Sequence, residues 1–120
     1  MVEIQTIPVL IVDDHRDAAE ALGDLLESEG HQVRTCYDGS AALAIAAEYR
    51  PQAVILDIGL PDVDGYEVAR QLRALLPDVK LLALSGWLEE DREQAKQSGF
   101  DYYLTKPVQM AELQKLLTAR

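Results

Sequence analysis

Five short strand-like runs, the first, third and fourth of them strongly apolar, recur along the chain, and each is followed by a stretch that reads as a helix. The first run, Ile7-Pro8-Val9-Leu10-Ile11-Val12, reads as a strand buried on both faces, with Pro8 tolerated at its start. Ala18, Ala19, Ala21, Leu22, Leu25 and Leu26 then mark one helix face that Gly30 closes as a C-cap. Gln32 to Cys36 is a shorter strand expected near an edge. Asp38 or Ser40 caps the next helix, whose face of Ala41, Ala42, Leu43, Ile45 and Ala46 ends before Pro51.

A further apolar run, Ala53-Val54-Ile55-Leu56, delivers Asp57 at its end and stops in the Gly/Pro/Asp-rich stretch Gly59 to Gly65. Tyr66 to Leu76 reads as a helix stopped by Pro77. Val79 to Leu84 is a fourth strand that delivers Ser85-Gly86, and a polar helix follows from about Glu89 to Gln97, ending at Gly99. Asp101 to Leu104 makes a fifth short strand that delivers Thr105-Lys106-Pro107, and Gln109 to Leu117 is the last amphipathic helix.

Strands that alternate with helices predict an α/β fold, a parallel sheet covered on both faces. Right-handed crossovers then require the strand order to reverse, and for five units the common order is 2-1-3-4-5 with the switch point between the first and third strands. That order brings Asp13, Asp14 and Asp57 together, with Ser85 and Lys106 beside them.

Length and charge narrow the picture. At 120 residues the expectation is a single domain over 1–120, with its core at about 8–117. There is no low-complexity tract, no run of the roughly 20 apolar residues a membrane span needs, and no secretory leader pattern, so a cytoplasmic location is expected. A net charge of -10 argues against direct nucleic-acid binding. Cys36 reads as a small buried hydrophobe. His15 and His31 read as surface residues, and without paired His or Cys spacing no transition-metal site is expected.

Three carboxylates held together need a counter-ion. Oxygen ligands with open water positions suit Mg²⁺, Lys106 adds a permanent positive charge, and Ser85 adds a hydroxyl. These are the parts needed to bind and transfer a phosphoryl group to a carboxylate nucleophile.

In those residues the chain resembles a response-regulator receiver domain of two-component phosphorelay signalling, over about Pro8 to Leu117. An Asp-Asp pair or a Lys-Pro dipeptide is common by itself; the full set in order, each at a strand end, is specific. The resemblance implies a flavodoxin-like receiver topology and Asp57 as acceptor of a phosphoryl group from a phosphohistidine donor. It implies Mg²⁺ ligated by Asp14, Asp57 and the backbone carbonyl of Gly59, with Asp13 acting through water. Lys106 would pair with the phosphoryl oxygens, Ser85 would be the switch hydroxyl, Tyr103 the switch aromatic, and Lys106-Pro107 a cis bond.

Two positions depart from commoner family choices. Gly59 and Trp87, each two residues after a key group, flank the path of the hydrolytic water in the family, and neither can orient it. Slow self-dephosphorylation is therefore expected.

The implied function is a phosphorylation-dependent switch that alters the surface of its fourth helix, fifth strand and fifth helix. Its partners would be a histidine kinase or histidine phosphotransfer protein and a downstream output protein or domain; homodimerisation on activation stays open. Ser85-Gly86-Trp87 and Gly99 to Val108 look like receivers fused to hybrid sensor kinases, and the end of the chain soon after its last helix is expected to leave an output domain out. A Mg²⁺-dependent phosphohydrolase is a competing reading, but its general acid would fall at Gly59. A docking module that is never phosphorylated is a third.

Overall fold

In the computed structural model, residues 6–58, 64–85 and 91–118 are described. Five strands and five helices alternate: β1 (Pro8–Val12), α1 (Arg16–Ser28), β2 (Gln32–Cys36), α2 (Gly39–Tyr49), β3 (Ala53–Asp57), α3 (Gly65–Leu75), β4 (Lys80–Ser85), α4 (Asp91–Gln97), β5 (Tyr102–Thr105) and α5 (Met110–Thr118). All strand pairs are parallel, in the order β2-β1-β3-β4-β5. The expected fold and order are both present, with β2 at an edge.

Period-two alternation sorts the strand residues onto two faces. Leu10, Val12, Val54, Leu56, Leu81 and Ala83 pack with α2 and α3 through Ala42, Ala46, Val68, Ala69 and Leu72. Val9, Ile11, Ala53, Ile55, Leu82 and Leu84 pack with α1 and α5 through Ala19, Leu26, Leu113 and Leu117. Leu10, Ile55, Leu56, Leu81 and Leu82 are at most 1 % exposed. At about 1.5–3 kcal/mol for each buried side chain of this size, the central strands dominate the hydrophobic stabilisation.

Local signals set the element ends. Asp38 rather than Ser40 caps α2, its carboxylate accepting from the Ala41 N–H at 2.7 Å. Asp64 caps α3 by accepting from the Tyr66 N–H at 2.9 Å. Gly30, at φ +98°, supplies the left-handed turn after α1. Gly65 is required by space, since a Cβ there would lie 2.8 Å from Ile58 Cα.

β5 begins one residue later than its apolar pattern suggests because Asp101 is committed elsewhere. Its Oδ2 accepts from the Leu81 N–H and from Arg73 Nη2, both at 2.8 Å. Arg73 also donates to the carbonyls of Pro77, Val79 and Gly99 at 3.0, 2.6 and 2.7 Å. One guanidinium thus joins α3 to the start of β4 and to the turn before β5, a hub that apolar periodicity cannot show.

His31 corrects the sequence expectation, because it is buried rather than on the surface. Its Nδ1 accepts from the Ile7 N–H at 3.0 Å, so the ring proton sits on Nε2, which faces Gln114 Oε1 at 2.9 Å. A polar side chain can be buried when both its polar atoms find partners, and one partner here lies 83 residues away. Cys36 is buried as expected, and burial, with the nearby Asp38 charge, pushes its thiol up to about 12.

Candidate functional site

The site grows out of the same alternation. Val9 and Ile11 on β1, and Ala53 and Ile55 on β3, face α1 and α5. One further step of two along each row reaches a carboxylate, Asp13 or Asp57. Val12 pairs with Leu56, so the two carboxylates arrive side by side at the C-terminal edge of the sheet. That edge is the switch point, where the chain leaves β1 for β2 on one side and β3 pairs on the other.

Lys106 enters from the next strands. It follows the last residue of β5, and its backbone N–H donates to the Ser85 carbonyl at 2.8 Å. Its Nζ donates to Asp57 Oδ2 at 2.8 Å and lies 3.8 Å from Asp13 Oδ2. Burial alone would lower the lysine's pKa. The hydrogen bond it donates to Asp57 and the charges of Asp57, Asp13 and Asp14 outweigh it and hold the value above 10.5.

His15 leans over the acid pair. Asp13 Oδ1 accepts from the His15 backbone N–H at 3.0 Å, and His15 Nδ1 lies 3.2 Å from that oxygen and 3.3 Å from Asp14 Oδ1. The ring is exposed, as expected, but it belongs to the site. Its place directly after Asp13-Asp14, at the N-cap of α1, was the signal available in the sequence.

A divalent cation fits the residues present. Asp14 Oδ1 is shielded from solvent and accepts no hydrogen bond, a costly state for a carboxylate oxygen that a bound cation would relieve. Asp13, Asp14, His15 and Asp57 each offer a ligand atom within 4.8 Å of the others. Three carboxylates in that group are the hard donors that Mg²⁺ prefers.

Asp13, Asp14, Asp57 and Lys106 are therefore gathered at one point. Ser85 lies buried at the end of β4 and is tied to Lys106 through its backbone. Tyr103 is half-buried on the α2–α3 face, packed against that core. The Lys106-Pro107 bond is cis. Gly59 and Trp87 lie outside the described residues.

A doubly wound sheet of this order, with an acid pair, a third carboxylate and a lysine at its switch point, defines the class of receiver domains. The family model for the response regulator receiver domain matches residues 9–118, and the chain belongs to that family of two-component signalling domains. It is 42% identical over 106 residues to transcriptional regulatory protein PrrA of Mycobacterium tuberculosis, covering 88% of this chain and 46% of that protein. The chain thus spans about half the length of such relatives.

Among solved structures, the receiver domain of sensor histidine kinase PA1611 from Pseudomonas aeruginosa aligns with a TM-score of 0.84 and 34% identity, over 94% of this chain and 95% of that one. That structure has a magnesium ion coordinated in the active-site cleft. A response regulator from Burkholderia pseudomallei, carrying a phosphorylated aspartic acid, aligns with a TM-score of 0.88 and 28% identity, over 93% of this chain and 66% of that one.

Proposed function

We propose that Asp57 is the phosphoacceptor of a signalling switch that takes its phosphoryl group from the phosphohistidine of a histidine kinase or histidine phosphotransfer protein. The observation that carries this reading is the 2.8 Å hydrogen bond from Lys106 to Asp57 inside a cluster of three carboxylates. An Asp57 oxygen forms the new P–O bond as the donor's P–N bond breaks. Lys106, already charged and within reach, pairs with the phosphoryl oxygens. Asp14, Asp57 and the carbonyl of Gly59, with Asp13 acting through water, would hold Mg²⁺, which would supply charge neutralisation for the transfer.

Ser85 then hydrogen-bonds the phosphoryl group, Tyr103 responds, and the surface formed by α4, β5 and α5 shifts its population of shapes. An open groove of about 400 Å³ lined by Ala95, Lys96, Phe100 and Tyr103 lies on that surface. On the opposite side, Ala18, Leu22, Leu84, Pro107 and Val108 line an apolar groove of 550 Å³ that runs up to Asp13 and Lys106. It offers a donor helix a seat beside the acceptor.

The reading includes a single domain over 1–120, a cytoplasmic location, and slow self-dephosphorylation through Gly59 and Trp87. Among the described residues no helix is long and apolar enough to cross a membrane. The output is carried by a partner protein or domain, and homodimerisation on activation is one form it can take.

The test is incubation with acetyl phosphate and Mg²⁺, followed by intact mass of the wild type and Asp57→Asn. One phosphoryl addition that requires Mg²⁺ and vanishes in the variant is expected. No addition to either protein would leave the docking-module reading in its place.

A further inference from the structure

We propose that Arg16, braced on the ring of Tyr37 beside the acid pair, binds the anionic group of the phosphodonor and draws it toward Asp57. This rests on reading Asp57 as the phosphoacceptor. Charge balance creates the need. The carboxylates of Asp13, Asp14 and Asp57 are offset by Lys106 and one divalent cation, which leaves no net positive charge to attract an arriving phosphoryl dianion. The chain as a whole carries a net charge of -10 and repels anions. Lys106 is already committed to Asp57 at 2.8 Å.

Arg16 is placed to supply the missing cation. It is the first residue of α1, directly after the His15 N-cap. Asp14, His15, Arg16, Asp17 and Ala18 line one open hollow of about 560 Å³. His15 and Ala18 also line the groove that reaches Asp13 and Lys106, so the two depressions adjoin. The Arg16 Cζ lies over the Tyr37 ring, 4.2 Å from its centroid, and Tyr37 is itself half-buried against the core beneath α1 and α5. Stacking on a ring face uses none of the N–H donors, so the guanidinium fork stays available to an oxyanion.

Two further observations set Arg16 apart. A cation at the first position of a helix opposes the macrodipole, which favours acids there; Asp17 obeys that rule and Arg16 breaks it. A local rule broken beside a reactive site points to a role outside the helix. Among the described residues Arg16 also enters no ion pair, whereas Arg70 and Arg73 are held by Glu67 and Asp101. Its charge is thus exposed, oriented by Tyr37 and not neutralised by a carboxylate.

The test follows phosphorylation of the full chain by intact mass against time in saturating Mg²⁺. The two donors are acetyl phosphate, a dianion at neutral pH, and phosphoramidate, a monoanion. At low ionic strength Arg16→Gln should slow the reaction with acetyl phosphate by about three- to tenfold, and that with phosphoramidate by less. In about 1 M salt, where the Debye length is about 3 Å, the gap should close to within about twofold. Arg16→Lys, which keeps the charge and loses the fork, should fall between. Tyr37→Leu, which removes the shelf and keeps the charge, should also slow acetyl phosphate. In Asp57→Asn labelled with ¹⁵N-arginine no transfer occurs, and acetyl phosphate should still shift a side-chain resonance that Arg16→Gln deletes. An unchanged rate in Arg16→Gln, a loss that is equal for both donors and insensitive to salt, or an unmoved Arg16 resonance overturns the proposal. A wild type that takes a phosphoryl group from neither donor would instead strike the reading of Asp57 beneath it.

Discussion

Replacing Lys106 with Met removes the cation from the acidic cluster while keeping most of the side chain's volume. Asp13 and Asp57 are 3% and 5% exposed, so the carboxylates left behind cannot turn to water for compensation. At an effective dielectric near 20, a unit pair at 2.8 Å is worth about 6 kcal/mol and one at 3.8 Å about 4 kcal/mol. Desolvation of the ions offsets most of that attraction. Breaking a fully buried pair typically costs about 3–5 kcal/mol. The Lys106 side chain is 34% exposed, which discounts the figure to about 2–3 kcal/mol.

Urea unfolding at neutral pH in EDTA should therefore show Lys106→Met less stable by that amount. Added Mg²⁺ should narrow the gap, because the ion binds the folded chain and now meets no competing ammonium; at tenfold above its Kd it stabilises by about 1.4 kcal/mol in a one-site linkage. A variant as stable as the wild type in EDTA, or one that Mg²⁺ stabilises less than the wild type, would refute the view of Lys106 as the cluster's counter-ion. The pH dependence is a separate check. The folded-state pKa of Lys106 is raised above 10.5, so its contribution is complete below that ordinary value and disappears as pH climbs through the raised one. The wild-type advantage should be flat from about pH 7 to 9.5 and shrink beyond about 10.5.

Arg73→Lys should lower stability by about 1.5–3 kcal/mol in urea unfolding, since one ammonium cannot replace a fork that reaches three carbonyls and Asp101; an unchanged midpoint would remove Arg73 as a hub. Gly65→Ala should cost about 1–3 kcal/mol by thermal melt, because the new methyl meets Ile58 backbone, and a neutral result would mean the turn after β3 yields freely. Trp87→Glu should hasten loss of the phosphoryl group, followed by mass against time; an unaltered decay would count against Trp87 as the obstruction to the hydrolytic water.

Much of the molecule was legible in the chain itself. Fully apolar runs such as Val9–Val12 and Ala53–Leu56 can be satisfied only by burial on both faces, and the helical spacing between them leaves a parallel sheet as the outcome. The strand-end positions of Asp13, Asp57 and Lys106 follow from that pattern, because period two carries a fixed face to a fixed edge. Where a strand begins was less legible, as Asp101 shows by lending its carboxylate to Leu81 and Arg73 before β5 starts.

Only the tertiary structure decided the contacts that join residues distant in sequence. His31 is buried because Ile7 and Gln114 supply its two polar partners, a pairing that no local pattern contains. Lys106 meets Asp57 across 49 positions. His15 lies next to the acids in sequence, yet only the path of the turn into α1 sets its imidazole against both carboxylates. Burial and periodicity are one-dimensional signals that a sequence carries openly. Hydrogen bonding and charge pairing depend on three-dimensional distance, which the chain acquires only when it folds.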